Sequence, residues 1–175
     1  MRRVAMIMSV IIIVTVGTIW TFDYVSTDGD FTKWSHTTMG YEHYEAGKKY
    51  YLGYDITWEG IGKPTLEKVE FIKKDGTIVA KDDDEFKIEP YIAKNRNIGG
   101  LDEESVLEEG IHEDLTDIKN YQVDEDFHLI LAVQYNGTTP ENDIYLLRIT
   151  YKKFGVTHHR NISFDDGIIT DPIEN

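Results

Sequence analysis

The sequence predicts a mainly β protein: an antiparallel β-sandwich with one short helix in a long connection, preceded by an N-terminal transmembrane helix. Three observations predict it. Two arginines lead an uncharged run from Val4 to Phe22. Beyond that run, apolar residues recur with a period of two in about seven segments, the mark of half-buried strands. Turn-forming residues separate those segments roughly every 8–12 residues, the spacing of an all-β domain.

The first element is the apolar segment. At about 1.5 Å per residue, Val4–Phe22 comes close to the hydrocarbon thickness of about 30 Å. A secretory signal has a shorter core, about 7–15 residues, followed by a small-x-small cleavage site. Its best match here, Thr15-Val16-Gly17, lies inside the run, and Ile19, Trp20 and Phe22 continue it. Trp20 falls where interfacial aromatics collect. Residues 1–22 are therefore expected to be an uncleaved anchor; cleavage would make the protein secreted. Arg2 and Arg3 favour the cytoplasmic side, while Asp23, Asp28 and Asp30 flank the far end. The expectation is a single-pass protein of the cell membrane with the bulk of its chain outside the cytoplasm.

Charge and cysteine content narrow the function. The 175-residue chain carries a formal charge of −14; setting aside Arg2 and Arg3 leaves −16 outside. Nucleic-acid binding needs Lys and Arg against phosphates, so it is excluded as a partner class. The same balance argues against hugging an anionic bilayer or wall polymer. Solubility is the ordinary use of such acidity, and a basic peptide or a divalent ion is the specific one. With no cysteine, there is no disulfide, thiol nucleophile, lipidated cysteine, Cys-based zinc site or iron–sulfur cluster.

The remaining elements follow in order. Residues 23–47 read as a stalk and first edge strand, 48–165 as the domain, and 166–175 as a loosely held tail. Tyr50, Leu52, Tyr54, Ile56 and Trp58 alternate with Tyr51, Gly53, Asp55 and Thr57, so a strand buries the first set. Gly60 to Pro64 make a turn. A hairpin is expected from Leu66 through Lys74-Asp75-Gly76 and back through Ile78-Val79. Phe86–Ala93 reads as a short strand that Pro90 ends or pushes to an edge. Asp102 to Gly110 reads as a short helix, capped by Asp102 and closed by Gly110, with Val106 and Leu107 against the core. Phe127–Tyr135 is apolar on both faces, as in a covered central strand. Ile144–Tyr151 presents Tyr145, Leu147, Ile149 and Tyr151 on one face, and Val156–Phe164 returns with Val156, Ile162 and Phe164 inward. Between these, Asp117, Tyr121 and Val123 look like the tyrosine corner of immunoglobulin-like domains, with Val123 at the cysteine position. The Cys…Trp…Cys signature itself is absent. The resemblance covers seven residues and implies an immunoglobulin-like sandwich, but no activity.

No residue pattern commits to a chemistry. The acidic run Asp82–Glu85, Asp28-Gly-Asp30 and Asp165-Asp166-Gly167 all miss the spacing of a calcium loop. His158 and His159 point to opposite faces of a strand, and no histidine shows metal-ligand spacing. No nucleophile elbow, Walker loop or dinucleotide fingerprint occurs. No metal or cofactor is expected. Asn136-Gly-Thr138 and Asn161-Ile-Ser163 fit the glycosylation triplet. Aromatic residues crowd one stretch, and Trp34, Tyr41 and Tyr44 are the candidate ligand contacts, since half-wet aromatic faces stack on sugars or line peptide grooves. Tyr50, Tyr54 and Trp58 are expected to face inward. The function read from the sequence is a non-enzymatic binding module with a protein, peptide or glycan ligand at the cell surface. The alternatives are a surface hydrolase or metal-dependent enzyme using His and carboxylates, and a calcium-stabilised structural domain.

Overall fold

A computed structural model describes residues 2–94, 98–124, 126–137, 140–164 and 166–170. The protein is mainly β, with antiparallel sheets, few helices and an apolar N-terminal helix. Helix α1 spans Arg2–Thr27, five residues past the expected end of the apolar segment. It is the one helix among the described residues that is long and apolar enough to cross a membrane.

No stalk follows the helix. Val25 is half-buried and Ser26 is buried. The carbonyls of the last turn, which have no partner within a helix, meet cations from the far end of the chain. Arg160 donates to the Thr27 carbonyl at 3.1 Å, and the Lys153 ammonium donates to that of Asp28. Positive charge is favoured at this terminus by the helix dipole. Gly29 then turns the chain at φ +106°, where a Cβ would stand 2.4 Å from the Trp58 ring. Strand β1 (Asp30–Lys33) begins at once, paired antiparallel to Ile56–Glu59.

The remaining strands are β2 (Met39–Gly40), β3 (Tyr50–Glu59), β4 (Thr65–Lys73), β5 (Phe86–Ala93), β6 (Gly100–Asp102), β7 (Leu115–Asp117), β8 (Asp126–Tyr135), β9 (Ile144–Lys153), β10 (Val156–Ser163) and β11 (Ile169–Thr170). One sheet runs β1-β3-β8-β5-β7, with β6 also on β3; a second runs β10-β9-β4. The two sheets share one apolar core. Leu52, Tyr54, Ile56 and Trp58 of β3 and Phe127, Leu129, Leu131, Val133 and Tyr135 of β8 meet Leu66 and Phe71 of β4 and Leu147, Ile149 and Tyr151 of β9. The opposite face of β8 is covered too. Ile130 packs with Ala93, Ile98, Val106 and Ile111 beneath helix α2 (Glu103–Glu108). Asp102 caps α2 by accepting the Ser105 amide at 2.8 Å, and Gly110, at φ +67°, ends it.

Several expectations need correction. Ile78 and Val79 return beside β4 through one isolated bridge at Ile72 and a bond from the Val79 amide to the Phe71 carbonyl, not as a full strand. Leu107 is 56 % exposed: one position along a helix turns the side chain by about 100°, away from buried Val106. Tyr145 sits at the outer end of β9 and is 45 % exposed, although Leu147, Ile149 and Tyr151 are buried. Pro90 lies within β5 and does not end it, because its register partner Leu131 lies on one side and its missing N–H costs nothing on the open side. Of the segment read as a loose tail, 166–170 is described, and Ile168 and Ile169 are buried.

Two buried charges hold loops to this frame. The Asp143 carboxylate accepts the amides of Ile144, Ile168 and Ile169 at 2.6–2.9 Å, so it clamps the end of the described chain to the start of β9. Burial nevertheless pushes this carboxyl above the usual aspartate range, against those three amides. Gly167 is required beside it, since a Cβ there would fall 1.8 Å from the carboxylate. Lys73, buried at the end of β4, pairs with Asp83 at 2.9 Å and Glu85 at 3.1 Å. Two of the four acids of the run are thus held by one buried lysine. Burial works against the Asp83 carboxylate, but the Phe86 amide and the Lys73 ammonium outweigh it and hold the group below its ordinary value.

Replacing Asp143→Ala strands three amides and is expected to cost about 3 kcal/mol in urea unfolding, with protease cleavage near residue 167 appearing before global unfolding. The Lys73→Met variant leaves two carboxylates without their partner, for an expected loss of about 3 kcal/mol at neutral pH. A lowered carboxyl value means stability that is present above the unfolded value of about 3.9 and lost as pH falls through the folded one. The wild type should therefore lose stability below about pH 4 more steeply than Lys73→Met, as read from unfolding curves at stepped pH.

Candidate binding groove

The six-stranded sheet is wider than the three-stranded one, and their edges do not meet along one side. Among the described residues, β7 covers β5 only at Tyr91–Ala93, leaving Phe86–Pro90 as an open edge. Facing it, β4 is bridged at Thr65 and at Ile72, and its middle, Lys68–Glu70, is open. Between the two edges lies a groove of about 860 Å³, within the range of ligand sites.

Its floor is apolar: Val69, Val79 and Ile88 are part-buried and packed on the core. Ile78, 46 % exposed, stands on one wall. Three of its charged residues are held in pairs. Lys68 bonds Glu70 at 2.6 Å, while Glu89 accepts from Lys49 at 2.9 Å and from the Tyr91 hydroxyl at 3.2 Å. The Lys49 ammonium holds Glu89 below the usual glutamate range, and burial raises the Tyr91 phenol. Lys87, exposed on β5, lines the same groove. Sequence reasoning missed the groove because each edge reads as an ordinary half-polar strand. The one available signal was Pro90, which marks an edge.

The three aromatic candidates do not form one surface. Trp34 is 65 % exposed, anchored by its amide to the Asp55 carbonyl at 2.9 Å. Tyr41 and Tyr44 converge instead on Tyr135, at ring-centroid distances of 6.3 and 5.6 Å, and Tyr44 also meets Tyr50 at 5.2 Å. They cover that end of the core. The Tyr44 hydroxyl is buried without a partner, and burial pushes it far up. Tyr50, Tyr54 and Trp58 face inward. Tyr121 packs at 6.2 Å from Phe127, and its neighbour Val123 is buried; Asp117 uses its carboxylate on the Lys119 amide.

The histidines are spread over different elements. His36 faces Asp166 at 3.3 Å, His43 faces Glu42 at 3.6 Å, and His128 bonds Asp55 across β3 and β8. His158 stacks on Tyr151 at 5.6 Å. Burial, reinforced by Lys153 and Arg160, pushes it below the usual histidine value. Among the described residues, no three of His, Asp and Glu gather as a metal-binding set. Asp165 and Thr138, which belong to motifs named above, lie outside the described residues. Comparison with family models, with curated proteins and with solved structures finds no match for this chain.

Proposed function

We propose that this protein is a membrane-anchored, extracytoplasmic β-sandwich of immunoglobulin-like type that acts as a non-enzymatic binding module. The observation that carries the reading is the groove between the open edges of β4 and β5. An extended polypeptide suits it best. Unpaired strand edges supply backbone hydrogen bonds, an apolar floor takes alternate side chains, and fixed charges of both signs set register. The length and exposure of α1 support the anchor, and the arginines before it support an outward-facing domain. Two sheets around one core support the sandwich assignment.

The test uses the full chain in lipid nanodiscs, probed with peptide and glycan arrays. Saturable binding of extended peptides is expected, weakened about tenfold, or about 1.4 kcal/mol, by Ile78→Asp or Lys87→Glu. Turnover of an ester, glycoside or peptide substrate would overturn the non-enzymatic reading. Binding that both groove variants leave unchanged would overturn the site.

A further inference from the structure

The end of the domain from which α1 leaves carries the β3–β4 turn, which crosses between the two sheets, and the tip of the β9–β10 hairpin; each exposes one large apolar side chain. The β3–β4 turn presents Ile61, 47 % exposed, and the β9–β10 turn presents Phe154, 51 % exposed. Both are tied to the helix exit. The Ile61 amide donates to the Asp28 carboxylate at 2.8 Å. Next to it, the Phe154 ring presses on Gly62, where a Cβ would lie 2.6 Å from the ring. Lys153 joins the same point by its bond to the Asp28 carbonyl.

Phe154 is unfavourable twice over in water. It occupies the left-handed region at φ +49°, followed by Gly155 at φ +85°, a hairpin position where Asn, Asp or Gly is the relaxed choice. A bulky residue there is strained, and its ring stays exposed. Phe154 also lines one groove with Val14, Gly17, Thr18, Thr21, Phe22 and Val25 of α1. All but Val25 belong to the uncharged run, so the ring stands beside the second half of that run.

Charge follows the same geography. From Ile144 to Phe164 the chain holds Arg148, Lys152, Lys153 and Arg160 and no carboxylate, although the whole protein carries −14. The overall acidity argues against an anionic surface; this hairpin is the exception, and it sits at the helix exit.

We propose that this end of the domain is a second membrane contact. Ile61 and Phe154 enter the boundary between headgroups and acyl chains of the bilayer that holds α1, and exposed Lys152 meets anionic headgroups. The proposal rests on the reading that Val4–Phe22 spans a bilayer.

Because the chain has no cysteine, single labelling sites are clean. The full chain carrying Ile13→Cys, Ile61→Cys, Phe154→Cys or Leu107→Cys is labelled with an environment-sensitive fluorophore. Each form is reconstituted into vesicles of phosphatidylcholine with or without phosphatidylglycerol. Leu107 is the distal control: α2 follows β6, which pairs with Tyr50–Leu52, the end of β3 opposite Glu59. Labels at 13, 61 and 154 are expected to be quenched by lipid-borne nitroxide and several-fold less by aqueous iodide than the label at 107. Phosphatidylglycerol should deepen the effect at 154, and Lys152→Glu should remove that deepening. Iodide quenching at 61 and 154 equal to that at 107, with 13 still shielded, would sink the second contact and leave the anchor standing. Equal quenching at 13 as well would remove the anchor and this inference together.

Discussion

A central strand with apolar side chains on both faces needs a cover on each, and β8 sets that requirement for the whole domain. Phe127, Leu129, Leu131, Val133 and Tyr135 face one cluster, and Ile130 faces the other. Neighbouring strands lie about 4.8 Å apart, so a three-stranded sheet spans only part of the larger one. The deficit is made up by irregular chain and by the short paired strands β2 and β11. Ile118, Tyr121 and Val123 close one region, while Met39, Tyr41, Tyr44, Phe164, Ile168 and Ile169 close another. The groove lies where no segment completes the cover. It follows from the mismatch in sheet width, and its open edges from how little of β5 is paired by β7.

The same requirement explains the aromatic richness. Tyr41 and Tyr44 sit at one end of the core, in edge-on contact with Tyr135 and Tyr50. Large rings reach across a gap that a short segment such as β2 cannot fill with aliphatic side chains. Trp34 has no such task and stays in solvent. Local sequence does not separate these roles, since all three residues lie in similar polar surroundings; the distinction is made by Tyr135, some ninety residues away.

What could be read from the sequence was whatever repeats locally. Alternation along β3, β8 and β9 shows the buried face of each, because strand side chains keep a period of two whatever they pack against. The Asp102 cap and Gly110 stop mark α2 for equally local reasons. The unread features are long-range pairings of polar groups. Lys73 looks like any hairpin lysine until Asp83 and Glu85 fold over it. Asp143 looks like a loop residue until the amides of Ile168 and Ile169 arrive. Past Phe22, Arg160 satisfies the last carbonyl of the helix and Lys153 that of Asp28 just beyond it, and neither is near in sequence. The groove belongs to this second class, being defined by two edges that meet only in space.

The splice between helix and domain bears on what the groove can reach. Only Asp28 and Gly29 separate α1 from β1, and the bonds from Arg160, Lys153 and the Ile61 amide leave this junction little freedom to swing. A stalk would let the domain sample a wide volume; a capped helix entering the sheet directly does not. With α1 across a bilayer, the β3–β4 turn lies at the membrane end, and Lys68 on β4 stands only a few residues beyond Thr65. At about 3.3 Å per residue, the open middle of β4 begins about 10 Å further out. The acidity of the domain as a whole and the cationic β9–β10 hairpin are compatible, because Ile144–Phe164 holds four of the cations and no carboxylate, and the acids are carried by the rest of the chain.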